Sequence, residues 1–228
     1  MTTAQAPYTL TLRSYWRSSA SWRVRIALEL KGLSYRYEPV HLVRGGGEQH
    51  LPEHTALNPM AQVPHLTVMR AGAEPFYLTQ SVAMLELLDH LEPQPRLIPS
   101  EPWLRARVME LVEVINSGIQ PVQNLSVLQA LERAGGDKLS WAAGVIDKGL
   151  RALEQLCHAD SALRSGPFLL GEAPCAFEAA LIPQLYNARR FKVALERYPR
   201  LLELEASCAR LEAFQRAAPD AQPDAQLT

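Results

Sequence analysis

The chain has 228 residues, long for one ordinary domain and comfortable for two small ones. Apolar residues make up 47%, charged residues 21%, and the net charge is −1. That balance is globular and excludes phosphate-backbone binding as the main task, which needs a clustered basic surface. No apolar run reaches the ~20 residues that span a bilayer. Residues 1–7 lack the basic start and apolar stretch of a secretory signal. The three cysteines, Cys157, Cys175 and Cys208, fit neither paired nor metal-ligand spacing. The expectation is a cytoplasmic protein with reduced thiols that binds neither nucleic acid nor membrane.

Residues 8–15 alternate as a strand, with Leu10 and Leu12 on one side and Thr9, Thr11 and Arg13 on the other. A helix is predicted over 21–31. Trp22, Ile26 and Leu30 recur every four residues, and Val24 and Leu28 form a second apolar row, so cover on two sides is expected. Gly32 is its stop. Residues 35–42 read as a second strand and Gly45-Gly46-Gly47 as a flexible connection. Residues 63–69 and 74–78 read as short strands turning at Ala71-Gly72. Thr79 or Gln80 opens a helix carrying Val82, Leu85 and Leu88. The order βαβ, then ββα, makes a small layered α/β unit over residues 1–92.

Pro93, Pro95, Pro99 and Pro102 crowd a short stretch, which predicts an interdomain linker at 93–102. Beyond it strand signals disappear. Residues 103–134 read as one long helix bent at Pro121. Leu139, Ala142, Ile146, Leu150, Leu153 and Leu156 keep helical spacing, and 176–191 and 201–214 supply two further helices. The predicted architecture is an α/β unit followed by an all-α domain over 103–218. The polar, proline-containing tail at 219–228 is predicted to be disordered.

Three places in the first unit carry chemical information. Ser18, Ser19 and Ser21 cluster where a strand ends and a helix begins. Free N–H groups and the helix dipole favour an anion there, including a thiolate, although serines also serve as plain caps. In Asn58-Pro59-Met60-Ala61-Gln62-Val63-Pro64-His65-Leu66 a proline opens a strand. It is either an unremarked edge residue or a cis bond that frees the backbone of Val63 for an extended ligand. Thr79-Gln80-Ser81 combines an amide, a hydroxyl and a helix start, suited to a carboxylate with a neighbouring amine or to ordinary capping.

Together these places resemble the glutathione transferase superfamily, whose first domain is thioredoxin-like and whose second is all helical. The specific resemblance is to its zeta class. That class carries Ser-Ser-Cys-Ser-Trp-Arg-Val-Arg-Ile-Ala-Leu, which residues 18–28 reproduce except at Ala20. Residues 118–128, Gly-Ile-Gln-Pro-Val-Gln-Asn-Leu-Ser-Val-Leu, look like the class's second-domain signature, and Pro183-Gln184 with residues 187–191 also match.

The resemblance implies glutathione as cofactor and a small anionic cis-alkene keto acid as substrate. It implies cis–trans isomerisation of maleylacetoacetate by reversible thiolate addition. Maleylpyruvate isomerisation, or a conjugating or dehalogenating reaction, is the runner-up, and a non-catalytic binding protein is a third possibility. Maleylpyruvate-type relatives tend to be more basic around the stretch that here reads Gln123-Asn124-Leu125-Ser126, which favours the first.

Carried over by motif, Ser18 holds the thiolate, with Ser19 and the helix start beside it. Val63 pairs with the cysteinyl backbone, Gln80 and Ser81 receive the γ-glutamyl end, and Gln49 approaches the other end. Gln120 and Asn124 face the site from the helical domain. Arg17 and Arg190 are the candidates for substrate carboxylates, whereas Arg25 and Arg189 are read as solvated or structural. A homodimer is also implied.

Two departures stand out. Ala20 removes the signature thiol without touching Ser18. Cys175 replaces the hydroxyl cap of a later helix, an expected cost of ~1 kcal/mol. His50 and His54 share helical spacing but lack a third ligand, so no metal is expected. Gly45-Gly46-Gly47 lacks the Lys-Ser/Thr of a phosphate loop.

Overall fold

The computed structural model describes residues 7–164 and 166–226. The predicted absence of a leader signal falls almost wholly outside them. The chain divides into two compact units, one of residues up to Pro95 together with those from Ala213 onward, the other Arg96–Glu212.

The first unit is built on a four-stranded sheet: β1 (Tyr8–Ser14), β2 (Tyr35–Pro39), β3 (His65–Arg70) and β4 (Phe76–Thr79). The strand order is β2-β1-β3-β4, with β1 and β2 parallel and the other pairs antiparallel. A parallel pair needs a crossover, supplied by α1 (Ser19–Leu30). Leu10 and Leu12 are buried, as the alternation predicts, and so are Ile26 and Leu28 of α1 and Met84, Leu85 and Leu88 of α3 (Ser81–Leu91). Residues Ser21 to Leu28 of α1 are all buried, Arg23 and Arg25 included, so the helix is covered on more than the two expected sides. Gly32 takes φ 62, and the Leu33 N–H returns to the Leu28 carbonyl at 3.0 Å, a glycine-type helix stop. Lys31 at that end forms a buried ion pair with Asp89 at 2.7 Å. The glycine connection is folded into two short 3-10 turns, Arg44–Gly46 and Glu48–His50, with α2 (Pro52–Thr55) following.

The second unit is all helical: α4 (Pro102–Glu113), α5 (Leu125–Arg133), α6 (Lys138–Ala159), α7 (Ala176–Arg190) and α8 (Pro199–Cys208). The predicted single helix over 103–134 is two. A π turn, Val114–Ile119, follows α4, and the chain leaves helical form around Pro121. Proline has no N–H to continue the ladder and clashes with the preceding turn, so it breaks this helix rather than bending it. The predicted helix over 201–214 likewise stops at Cys208 and restarts as α9 (Glu212–Ala217).

The starts of α4, α6, α7 and α8 are filled by carboxylates, and that of α5 is not. Glu101 accepts N–H groups of Trp103 and Leu104 at 3.0 and 2.6 Å in α4. Asp137 accepts those of Leu139 and Ser140 at 2.9 and 3.2 Å in α6. Glu154 accepts those of Arg200 and Leu201 at 3.0 and 3.2 Å in α8. In α7 the fully buried Glu178 accepts the N–H of Cys175 at 2.9 Å and that of Leu169 at 2.6 Å. Cys175 and Glu178 therefore form a reciprocal capping box: the Cys175 sulfur accepts the Glu178 N–H while Glu178 accepts the Cys175 N–H. The thiol also donates to the Glu178 carboxylate at 3.1 Å. Burial raises the Glu178 pKa, with the backbone N–H donors opposing that rise.

Two expected boundaries differ. Leu97 and Ile98 are buried, and the Leu97 carbonyl accepts the Ala176 N–H at 2.9 Å, so apolar residues between the prolines fold into the second unit. The tail predicted to be disordered is placed as far as Gln226 and belongs to the first unit. Pro219 and Gln222 are buried, and Gln222 donates to the Arg216 and Ala218 carbonyls at 2.8 Å each. Polar residues here satisfy local backbone groups, which a reading of composition cannot register.

Candidate active site

Register gathers three of the predicted segments. Arg13 of β1 pairs with His65 of β3, and His65 pairs with Thr79 of β4. The continuations of these strands, 14–18, 62–64 and 80–81, therefore emerge at one end of the sheet. Tyr15, Trp16, Val40 and Val63 form a single buried cluster at that end. His65 between them is fully buried. Burial first, then the charges of Arg13 and His54, lower its pKa to about 4, so it is neutral at physiological pH.

Ser18 is the N-cap of α1, and its Oγ accepts the Ser21 N–H at 3.3 Å. That contact uses a lone pair and leaves the hydroxyl hydrogen to donate. Arg17, Ser18, Ser19 and Ala20 are half-buried, and the first turn holds no acidic residue. The Arg17 guanidinium lies 4.7 Å from the Trp16 ring centroid, a cation–π contact that keeps it beside the turn.

Arg25 fixes this turn from within. Its fully buried guanidinium donates to Ser14 Oγ at 3.1 Å, to the carbonyls of Tyr15 and Trp16 at 3.4 and 2.8 Å, and to the Ala217 carbonyl at 3.0 Å. Burial lowers its pKa to about 10, so it stays charged. Arg25 is thus the structural residue of the two readings, and its job is to shape the loop that carries Arg17 and Ser18.

The Val63-Pro64 peptide is cis. Ahead of it, the Gln62 carbonyl accepts from His54 Nε2 and Asn58 Nδ2 at 2.8 Å each. Among the described residues no hydrogen bond reaches the N–H or C=O of Val63. His54 therefore serves this loop, while the exposed His50 lies against the Gln49 amide at 3.1 Å. Gln49 is buried, with Nε2 donating to the Leu42 carbonyl at 3.4 Å and Oε1 without a partner among the described residues. Gly47, at φ 105, leaves room for it, because a Cβ there would sit 2.5 Å from the amide.

Gln80 precedes α3 at φ 72 and ψ 110, a backbone position that costs a non-glycine residue ~1 kcal/mol or more. Its side chain is exposed, Ser81 is buried, and no side chain caps the helix. The first turn of α3 thus offers N–H groups with no partner inside their own helix.

In the second unit Gln120 follows the π turn and is half-buried. Gln123 and Gln184 are buried and exchange amide hydrogen bonds at 3.1 and 3.2 Å, a pair that accounts for both signature positions structurally. Asn124 is exposed at the start of α5 and makes no cap bond. Arg190 is exposed in the last turn of α7, with Nη1 donating to Asn187 Oδ1 at 3.2 Å. Arg189 forms a two-point ion pair with Glu205 at 2.6 Å per bond and is structural.

The protein's own thiols offer no nucleophile here. Cys157, Cys175 and Cys208 are free and buried, and burial raises the pKa of all three, that of Cys157 to about 12. Arg25, His54, Asn58 and Gly47 support the site without having been singled out for it. Arg25 lies inside the 18–28 signature and Asn58 inside the 58–66 stretch, so both motifs carry a signal for them.

A thioredoxin-like unit with uncapped or hydroxyl-capped helix starts at one sheet end, followed by helices alone, defines the glutathione transferase fold. Residues 17–91 match the family described as Glutathione S-transferase, N-terminal domain. A mouse protein named maleylacetoacetate isomerase is 41% identical over 213 residues, covering 93% of this chain and 94% of its own. The crystal structure of maleylacetoacetate isomerase from Anaeromyxobacter dehalogenans, with glutathione in its active site, is 47% identical. It matches with a TM-score of 0.86 over 97% of this chain and 100% of its own. A bacterial maleylpyruvate isomerase described as a zeta-class glutathione transferase is 37% identical, with a TM-score of 0.86 over 95% of this chain and 100% of its own. The chain belongs to the zeta class of glutathione transferases, the family of these isomerases.

Proposed function

We propose that this chain catalyses the glutathione-dependent cis–trans isomerisation of maleylacetoacetate to fumarylacetoacetate. One observation carries the reading. A hydroxyl-capped helix start, an unbonded Val63 backbone and an uncapped helix at a strained Gln80 converge at one sheet end, in a chain of the family just described. Gln49 Oε1 adds a buried acceptor without a partner among the described residues. These groups fit an anionic thiol peptide.

Glutathione, when bound, supplies a thiolate that adds reversibly to an alkene carbon, makes the bond single while it rotates, and is not consumed. The chain's residues supply the rest. The Ser18 hydroxyl donates to the sulfur, with Ser19 and the start of α1 favouring negative charge. Val63 holds the cysteinyl backbone, Gln80 and Ser81 the γ-glutamyl end, and Gln49 the other end, with Gln120 and Asn124 completing the site. Arg17 and Arg190 hold the substrate's carboxylates, and Arg17 stabilises charge developing on its carbonyl oxygen.

The test offers maleylacetoacetate, maleylpyruvate and a generic electrophile, each with and without glutathione, to the wild type and to Ser18→Ala. Isomerisation of maleylacetoacetate that requires glutathione is expected. A free thiol ionises near pH ~8.5, and a hydrogen bond of ~1.5–3 kcal/mol lowers that by about one to two units. Ser18→Ala should raise the bound thiol's pKa by that amount, read from thiolate absorbance in the ultraviolet. Conjugation without isomerisation, or an unchanged thiol pKa, overturns the reading.

A homodimer is part of the same proposal. Met69, Phe76 and Tyr77 on β3 and β4 are exposed apolar side chains, and sedimentation at micromolar concentration should give a dimer. A cytoplasmic role in tyrosine or phenylalanine breakdown completes it, in keeping with three unpaired thiols.

A further inference from the structure

The C-terminal segment reaches the turn that carries Arg17 and Ser18. Asp224 Oδ2 accepts the Trp16 N–H at 3.2 Å, and its Oδ1 accepts the Tyr37 O–H at 2.6 Å. The next residue, Ala225, packs on the cluster of Tyr15, Trp16, Val40 and Val63. Upstream, the Ala217 carbonyl accepts from Arg25, and Arg216 pairs with Glu29 at 2.7 Å. Trp16 is consequently held on both sides: its N–H by Asp224, its carbonyl by Arg25. The Trp16 N–H belongs to the peptide plane shared with Tyr15 and its carbonyl to the plane shared with Arg17. Each plane rotates as a unit, so fixing both groups fixes the backbone at Trp16 and with it the direction in which the chain enters Arg17 and the N-cap.

We propose that Asp224 is a positioning residue for the thiol site. By holding the Trp16 N–H it sets the orientation of Ser18 and Arg17, so a segment over 200 residues away in sequence belongs to the catalytic apparatus. The proposal rests on Ser18 as the donor to sulfur. Geometry and charge pull in opposite directions here. A carboxylate near the site disfavours a thiolate, so its loss as a charge alone would lower the thiol's pKa, whereas its loss as a tether would raise it.

The experiment compares Asp224→Ala, Asp224→Asn and Arg216→Gln with the wild type. Three quantities are read: amide exchange over residues 15–18 without ligand, the pKa of bound glutathione by ultraviolet titration, and kcat and KM separately. Asp224→Ala should speed exchange, raise the thiol pKa by about 0.5–1 unit and cut kcat near neutrality about three- to tenfold, with KM nearly unchanged. Asp224→Asn keeps an acceptor for Trp16 and should restore all three. Arg216→Gln loosens the segment at Glu29 and should lower Tm with the thiol pKa unmoved. A wild-type thiol pKa in Asp224→Ala overturns the proposal, as does a fall shared by Ala and Asn, or an equal rise in Arg216→Gln. If the wild type itself does not lower the thiol pKa, the Ser18 reading falls and this proposal with it. If it does and Asp224→Ala matches it, only the proposal falls.

Discussion

The helix starts of the two units are finished in opposite ways. In the second unit α4, α6, α7 and α8 each have N–H groups occupied by a carboxylate, from Glu101, Asp137, Glu178 and Glu154. In the first unit α1 carries only the Ser18 hydroxyl, and α3 carries no side-chain cap. A start filled from within is a stability device, because it satisfies N–H groups that would otherwise be orphaned. A start left without internal charge keeps its dipole and its donors for an anion from outside. Within the second unit α5 is the exception: Asn124 makes no cap bond, and Asn124 is one of the proposed site residues. Where a protein omits the stabilising carboxylate is therefore informative.

The sharpest way to break that contrast is to fill the start of α1. Ser18→Asp supplies a good cap, so the melting transition should move little, within about 0.5 kcal/mol. Glutathione binding and isomerisation should both be lost, since a fixed carboxylate repels the thiolate; binding measured by calorimetry decides it. Emptying a filled start should do the reverse. Glu178→Ala leaves the N–H groups of Leu169 and Cys175 buried and unpaired, an expected loss of about 2–4 kcal/mol in urea unfolding. Unchanged stability there would mean that the desolvation of Glu178 cancels its hydrogen bonds.

Arg190→Ala tests whether the exposed end of α7 serves the substrate. Its loss should cost about 1.5–3 kcal/mol in kcat/KM, with glutathione affinity nearly unaffected. Equal loss of glutathione binding would assign it to the cofactor. The smallest effect belongs to Asn124→Asp. A charge at the start of α5 should stabilise the protein by about 0.5 kcal/mol while slowing turnover of an anionic substrate. A gain in stability with full activity would remove Asn124 from the site.

The same contrast separates what was legible from what was not. Strand alternation at Leu10 and Leu12, the serine-rich start of α1 and the Val63-Pro64 pair were visible because they depend on neighbours one to four residues apart. At Pro121 the sequence predicts a bend where the structure has a break, because the sequence shows the missing donor but not whether neighbouring helices compensate for it. Cys175 looked like a weakened cap. Glu178, three residues on, accepts the Leu169 N–H as well as that of Cys175.

The sequence by itself determined the family and the order of strands and helices around the sheet of the first unit, both written in short motifs. Tertiary structure alone decided which helix starts stay open, because a cap such as Glu154 on α8 comes from 46 residues away. It alone decided that Arg25 is buried beneath the Ser18 turn, and that a polar tail folds onto the first unit through Asp224 and Gln222. Hydrogen bonds between distant segments carry no local signature. Their partners become specific only once strand register and helix packing have brought the backbone groups together.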